Sequence, residues 1–173
     1  MRRIALGLSA GLLTMTAVIL AGRPDAAPPP NVELVAVRYS DLGERIKAQK
    51  GRVVVVDFWA DYCPPCKREF PKLIELHRKY AADGLVCVSV SLDDAADADA
   101  RERAIRFLTD KKAMFANYLL DEPVRDWQAK LKIDGPPCVF VFNRAGDLLK
   151  RFHDDVDYRE IERIAIDALK EQP

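Results

Sequence analysis

The chain has 173 residues, a length typical of one domain with short attachments, and its 49% apolar and 31% charged residues suit a hydrophobic core inside a soluble surface. Its 27 Lys and Arg residues balance its 27 Asp and Glu residues, so the sequence lacks the basic character of a nucleic-acid-binding protein. Four cysteines are too few at this length for a disulfide-stabilised scaffold, and each is therefore interpreted by itself.

The first segment, residues 1–22, is predicted to direct the protein out of the cytoplasm. Arg2 and Arg3 are followed by an uncharged, largely apolar run over residues 4–22. Such a run fits a secretory signal peptide, and at about 20 residues it is also long enough to span a membrane. Because no clean A-x-A cleavage site ends the run, a cleaved signal and a retained membrane anchor both stay open.

A proline-rich stretch follows at residues 23–31, where four prolines favour a stiff, extended linker. Residues 32–173 are predicted to form the folded domain, in which strands and helices alternate along most of the chain. In chain order we expect strand 32–37, helix 40–49, strand 53–59, helix 65–81, strand 85–92, helix 97–112, strand 115–120, helix 124–131, strands 138–143 and 148–152, and helix 158–170.

This order of elements predicts the fold class. The strand 53–59 is apolar on both sides except at Asp57, so it is expected to lie in the middle of a sheet that helices cover on both faces. The last two strands are joined by a turn-rich loop at 144–147 and form a hairpin. Ser40 or Asp41 is expected to cap the first helix. Together these features indicate a three-layer α/β/α sandwich with a mixed central sheet.

The residues that carry chemistry are Cys63-Pro64-Pro65-Cys66, where a buried strand gives way to a helix. A helix N-terminus has free N–H groups and a positive dipole end, which lower the pKa of a thiol there from about 8.5 toward ~7. Cys63 is then the nucleophile that attacks a substrate disulfide, and Cys66 resolves the mixed disulfide. Because neither proline has an N–H, the Cys66 N–H is the main backbone donor left for the thiolate. A less stabilised thiolate makes the reduced form of the pair less favourable, so the pair is predicted to act as a reductant.

Two acidic residues lie near this pair in sequence. Asp57 precedes Cys63 by six residues on the buried strand, where burial should raise the pKa of its carboxyl. Such a carboxyl can accept the proton of Cys66 when that thiol becomes a nucleophile, although local hydrogen bonds would also explain a buried acid. Glu69 lies one turn into the helix, as either a second acid near the sulfurs or a solvated helix residue.

The stretch WADYCPPCKREFP, residues 59–71, resembles the thioredoxin superfamily and more narrowly its TlpA/ResA-type exported thiol–disulfide oxidoreductases. The resemblance extends from about Gly51 to the C-terminus and includes Gly135-Pro136-Pro137. It implies a thioredoxin-like fold with an extra helix and strand within residues 93–120. It also implies that Pro137 follows a cis peptide bond, faces the active-site disulfide and binds the substrate backbone.

Further roles come from the same resemblance. Asp57 resembles the buried acid of thioredoxin, and Glu69 resembles the acid of the ResA-like branch. The substrate-binding surface is expected to include Pro136, Trp59 and Tyr62 beside the cis-proline, and Trp59 is also expected to pack beneath the active-site turn.

Three positions depart from the family pattern. Tyr62 stands where Trp is usual. Ser89 occupies the place of a lysine near the buried acid, so Asp57 lacks that partner. Pro136 has no N–H for a substrate backbone, so the substrate range of the family does not carry over.

Cys87 and Cys138 are interpreted as buried packing residues. In a thioredoxin fold their strands flank the central strand, which separates them by about 9–10 Å, too far for a disulfide. A minor redox role for Cys138, close to Pro137, stays open. A zinc site would need a second pair of ligands at suitable spacing, which the sequence does not offer.

The sequence therefore predicts an extracytoplasmic thiol–disulfide oxidoreductase, periplasmic or secreted, or anchored through residues 4–22. It is expected to be a monomer without cofactor or metal that reduces protein disulfides with electrons from an unidentified thiol donor. A place in cytochrome c maturation rests on family analogy alone, and a tryparedoxin-like protein fits less well because of the export segment. The alternative is a redox-inert binding or assembly module of the same fold with a static disulfide.

Overall fold

The structure, a computed structural model, describes residues 31–171. The predicted targeting segment 1–22 and the linker up to residue 30 lie outside the described residues. Every strand and helix expected from the sequence is present, with boundaries that agree within three residues. In chain order the elements are β1 (Val35–Val37), α1 (Tyr39–Lys47), β2 (Val53–Trp59), α2 (Pro64–Tyr80), β3 (Leu85–Ser91), α3 (Ala98–Lys111), β4 (Ala116–Leu120), α4 (Val124–Leu131), β5 (Cys138–Phe142), β6 (Leu148–His153) and α5 (Tyr158–Lys170).

The strands form one mixed sheet in the order β1-β4-β3-β2-β5-β6. The first four are parallel to their neighbours, whereas β5 is antiparallel to β2 and β6 is antiparallel to β5. The β-branched strand β2 thus lies inside the sheet, and all seven of its residues are buried, as its apolar sequence predicts. The predicted insertion is formed by α3 and β4, and β4 extends the sheet beyond β3.

Helices cover both faces of this sheet and complete the predicted three-layer sandwich. On one face, α2, α3 and α5 pack over the side of β2 that carries Val55 and Trp59. On the other face, α1 and α4 pack over the side that carries Val56 and Phe58. Of the helices within residues 31–171, none combines the length and the hydrophobicity that crossing a membrane requires.

The start of α1 corrects one local prediction. The helix begins at Tyr39 and not after Ser40 or Asp41, and its N-cap residue, Arg38, makes no side-chain capping bond. A carboxylate from the segment after β4 takes that place, since Glu122 Oε1 accepts the Tyr39 N–H at 3.2 Å. A tertiary contact therefore replaces the local cap and moves the helix start.

Candidate active site

The predicted redox centre lies in the turn between β2 and α2. Cys63 occupies the N-cap position of α2, directly before the first helical residue, Pro64, as the sequence predicted. Cys63 and Cys66 are joined by a disulfide, and their Cα atoms are 5.4 Å apart. The Cys66 N–H donates to the Cys63 Sγ at 3.3 Å, which is the contact expected when the intervening prolines have no N–H.

A carboxylate network from neighbouring elements holds this turn in place. Both carboxylate oxygens of Asp93, just after β3, accept the backbone N–H of Asp61, at 3.1 and 3.0 Å. Ser91 Oγ donates to Asp93 Oδ2 at 2.7 Å. The Asp61 carboxylate in turn forms ion pairs with Lys67 of α2 and with Arg103 of α3, the latter at 2.7 Å. The inserted helix α3 therefore helps to fix the active-site turn.

The pKa values of the two carboxylates of this network are shifted in opposite directions. Burial raises the pKa of Asp93 and outweighs the hydrogen bonds from Ser91 and from the Asp61 N–H. Burial also opposes the charge of Asp61, but its contacts with Lys67 and Arg103 dominate and lower the pKa of that carboxyl. Neither residue was predicted from the sequence. Their position after adjacent parallel strands is the signal that could have identified them.

The two aromatic residues assigned to substrate binding lie in different environments. Tyr62 is 63% exposed beside the disulfide and is available to a partner. Trp59 is fully buried, and its ring packs 5.4 Å from Phe70 and 4.9 Å from Phe107. The prediction that Trp59 contacts substrate is therefore wrong, because the residue has no exposed surface. It packs beneath the active-site turn, as the sequence also predicted.

The loop before β5 presents the expected proline. The Pro136–Pro137 peptide bond is cis, and both residues are partly buried. The segment after β6 is tied to this loop, because the Asp154 N–H donates to the Pro137 carbonyl at 3.3 Å and His153 Nε2 lies 3.2 Å from the Gly135 carbonyl. His153, the last residue of β6, thus contacts the cis-proline loop.

A cavity of about 250 Å³ lies between α2, the cis-proline loop and the start of α5. Asp57, Cys66, Glu69 and Pro137, which were all singled out from the sequence, line this cavity together. Tyr158 is the further residue that the sequence analysis missed. The rest of the lining consists of Pro65, Asp154, Asp155 and Val156.

Asp57 is the most perturbed acid of the cavity. The residue is 4% exposed, and burial raises the pKa of its carboxyl from 3.8 to about 7, although a hydrogen bond from Tyr158 opposes the shift. Tyr158 Oη donates to Asp57 Oδ2 at 2.7 Å. Ser89 lies beside Asp57 on β3, as expected, but its hydroxyl donates to Asn117 at 2.8 Å. The partner of Asp57 is therefore a tyrosine from the last helix.

Glu69 lies at the mouth of the same cavity. Its side chain is 36% exposed and forms an ion pair with Lys72, one turn further along α2. Both descriptions left open by the sequence thus apply in part: Glu69 is near Cys66, and it is also a partly solvated residue with a helix partner.

Cys87 and Cys138 are both free and buried, as predicted. Cys87 lies beside Val55 and Cys138 lies beside Phe58, so they flank β2 on opposite faces of the sheet. Burial raises the pKa of Cys138 to about 12 and that of Cys87 further. Within residues 31–171, no three His, Cys, Asp or Glu side chains are grouped so that they could hold a metal ion.

A mixed sheet between helix layers, with a disulfide at the N-terminus of the helix after a central strand and a cis-proline opposite, defines a thioredoxin-fold protein. Residues 51–148 match the thioredoxin-like family, and the chain therefore belongs to that family.

The similarities to individual proteins agree with this assignment and with the TlpA/ResA-like branch. The chain is 35% identical over 86 residues to the thioredoxin-like protein YneN of Bacillus subtilis, covering 44% of this chain and 50% of that one. It is 31% identical over 127 residues to the thiol–disulfide oxidoreductase ResA of Bacillus cereus, covering 73% and 62% of the two chains. The chain thus spans less than two thirds of the length of either relative.

Among solved structures, one assigned as the thiol:disulfide interchange protein DsbE of Chlorobium tepidum is similar. It superposes with a TM-score of 0.58 at 29% identity, and the match covers 70% of this chain and 83% of that one. StoA of Bacillus subtilis, at 21% identity and a TM-score of 0.52, shares the fold.

Proposed function

We propose that this protein is a thiol–disulfide oxidoreductase that reduces disulfides of protein substrates. The observation that carries the proposal is the Cys63–Cys66 disulfide at the N-terminus of α2, beside the cis-proline Pro137 and above a cavity that contains the buried acid Asp57. A purely structural disulfide needs neither an acid with a pKa of about 7 nor a cis-proline next to it.

In the first half-reaction, Cys63 attacks the substrate. The helix N-terminus and the Cys66 N–H favour its thiolate, which bonds to one sulfur of the substrate disulfide. The other substrate sulfur leaves with the electron pair of the broken bond and takes up a proton. Tyr62 and Pro137 are the residues proposed to contact the substrate segment, while Pro136 offers it no N–H.

In the second half-reaction, Cys66 gives its proton to Asp57, and its thiolate attacks the Cys63 sulfur of the mixed disulfide. The second substrate thiol is released, and the Cys63–Cys66 disulfide forms. Glu69 is proposed as a second acid at the cavity mouth, where it can pass the proton to solvent. A thiol donor must then return two electrons to the protein for the next turnover.

The proposed location is outside the cytoplasm. The support for it is the sequence of residues 1–22, where Arg2 and Arg3 precede an apolar run, together with the proline-rich linker 23–31. We further propose that the protein exchanges electrons only through thiols, because its sequence has no cofactor-binding motif.

The experiment that tests the activity is reduction of insulin disulfides with a dithiol as electron donor. Cys63→Ser should abolish turnover and leave the fold intact, because the nucleophile is lost and the replacement is small. Cys138→Ser is the matched control, since it replaces a buried free cysteine on the opposite face of the sheet and should retain activity. If the unsubstituted protein and Cys63→Ser both reduce insulin no faster than the dithiol alone, the proposed function fails and a redox-inert binding module becomes the better account.

A further inference from the structure

The residue that the proposed mechanism leaves without a role is Tyr158. It is the first residue of α5, is 5% exposed, and lines the same cavity as Asp57 and Cys66. Its hydroxyl donates to Asp57 Oδ2 at 2.7 Å across a sequence separation of 101 residues. This is the one hydrogen bond that the Asp57 side chain makes within residues 31–171.

We propose that Tyr158 is a positioning residue for the resolving step, in which it holds and stabilises the Asp57 carboxylate that accepts the Cys66 proton. The inference rests on the proposed function and adds a residue that neither the family match nor the sequence motifs assign.

The step balances as an ordinary thiol–disulfide exchange. The Cys66 S–H bond breaks, and its proton passes to the Asp57 carboxylate, directly or through water in the polar cavity. The Cys66 sulfur forms a bond with the Cys63 sulfur while the bond from Cys63 to the substrate breaks, and the substrate leaves as a thiolate that takes up a proton. Tyr158 keeps its own proton throughout and only donates a hydrogen bond.

The surroundings of Asp57 explain why this one donor matters. No Lys, Arg or His is among the residues that line the cavity, so no cation there compensates the charge of the carboxylate. Burial raises the pKa of Tyr158 well above its ordinary value, and the phenol therefore remains a neutral donor. The titratable groups around Asp57 are Cys66 and Glu69 of α2, Cys87 of β3, Asp154 and Asp155 after β6, Tyr158 of α5 and, from the other face of the sheet, Cys138.

A neutral donor also suits the chemistry better than a cation would. A lysine beside Asp57 would hold the carboxylate strongly in its charged form. The tyrosine stabilises that form less, so the acid can both accept and release a proton near neutral pH. Loss of the hydroxyl should therefore make the carboxylate harder to form.

The test compares Tyr158→Phe with Tyr80→Phe in the full chain. Tyr80 is a matched control, because its hydroxyl also donates to a carboxylate, Glu162 Oε1 at 2.8 Å, away from the cavity. The first readout is the titration of the Asp57 carboxyl carbon by ¹³C NMR in the oxidised protein. Tyr158→Phe should raise the titration midpoint by about one pH unit or more, whereas Tyr80→Phe should leave it in place.

The second readout is the pH profile of the resolving step, followed by release of a chromogenic thiol from a mixed disulfide preformed on Cys63. The profile of Tyr158→Phe should move to higher pH with the NMR midpoint, and the rate at neutral pH should fall by about fivefold. In an Asp57→Asn background, Tyr158→Phe should have no further effect on the profile, since the group that it acts on is gone. A residue with a merely structural role would not show this dependence on Asp57.

The outcomes separate the two hypotheses. If the unsubstituted protein reduces disulfides but Tyr158→Phe changes neither the Asp57 midpoint nor the profile, the role of Tyr158 is refuted and the proposed function stands. If the unsubstituted protein shows no exchange at all, the proposed function fails. Should Tyr158→Phe not fold, replacement of Tyr158 by 3-fluorotyrosine keeps the test open, because the more acidic phenol is a stronger donor and should lower the midpoint.

Discussion

The buried acid of the cavity should make the protein less stable as pH rises. Burial raises the pKa of Asp57 from 3.8 to about 7, so between these two pH values the folded protein keeps a proton that the unfolded chain has released. The stability linked to this proton is fully present below about pH 3.8 and is lost as pH rises through 7. Asp57→Asn removes the titrating carboxyl and keeps an oxygen that can accept the hydrogen bond from the Tyr158 hydroxyl.

The size of the effect follows from the shift. A difference of about 3 pH units, at about 1.4 kcal/mol per unit, corresponds to about 4 kcal/mol at most. Asp57→Asn and the unsubstituted protein should therefore have similar free energies of unfolding near pH 4. The variant should become progressively more stable by comparison up to about pH 7, and the difference should stay constant above that value.

The measurement is urea denaturation of both oxidised proteins, without reductant, at several pH values between about 4 and 8.5. The quantity of interest is the difference in free energy of unfolding between the two proteins, followed as a function of pH. The contributions of the other titrating groups cancel in this difference. Asp110→Asn, which changes an exposed carboxyl on α3 to an amide, is the matched control. A pH-independent difference for Asp57→Asn, or a variant less stable than its parent above pH 7, would refute the reasoning from burial.

Two further predictions concern the sulfurs and the turn that holds them. Cys66→Ala should accumulate mixed disulfides with substrates that dithiothreitol releases, seen on non-reducing gels, and adding Cys138→Ala should change nothing because that thiol lies on the other face of the sheet. Asp93→Ala should lower the free energy of unfolding by ~1–3 kcal/mol in urea denaturation, since the part-buried Asp61 N–H and the buried Ser91 hydroxyl lose their acceptor. Unchanged stability would mean that water replaces the carboxylate.

The elements of the fold could be predicted from the sequence because each is encoded locally. The strand 53–59 is apolar on both sides, and a cysteine before two prolines is a plausible helix start, so both boundaries followed from short patterns. The contacts that join distant elements could not be predicted from such patterns. The bond from Tyr158 to Asp57 and that from Tyr39 to Glu122 span 101 and 83 residues, and they depend on register and packing that no local pattern encodes.

The error at Trp59 has a different origin. The residue was assigned both to substrate binding and to packing beneath the active-site turn, and only the second assignment holds. The alternation of side chains along β2 places it on the same face as Val55 and Asp57, under α2 and α3. Strand periodicity was therefore a better guide to its position than closeness in sequence.

The inserted strand β4 explains why Asp57 depends on a tyrosine. Asp57, Ser89 and Asn117 lie in register on β2, β3 and β4, and so form a polar row on one face of the sheet. The Ser89 hydroxyl donates to Asn117, whose amide donates to backbone carbonyls before β4, so this part of the row is satisfied without charge. Since the row offers Asp57 no donor, the fold supplies one from the start of α5. Burial then sets the protonation of this acid, which lines the same cavity as the resolving cysteine.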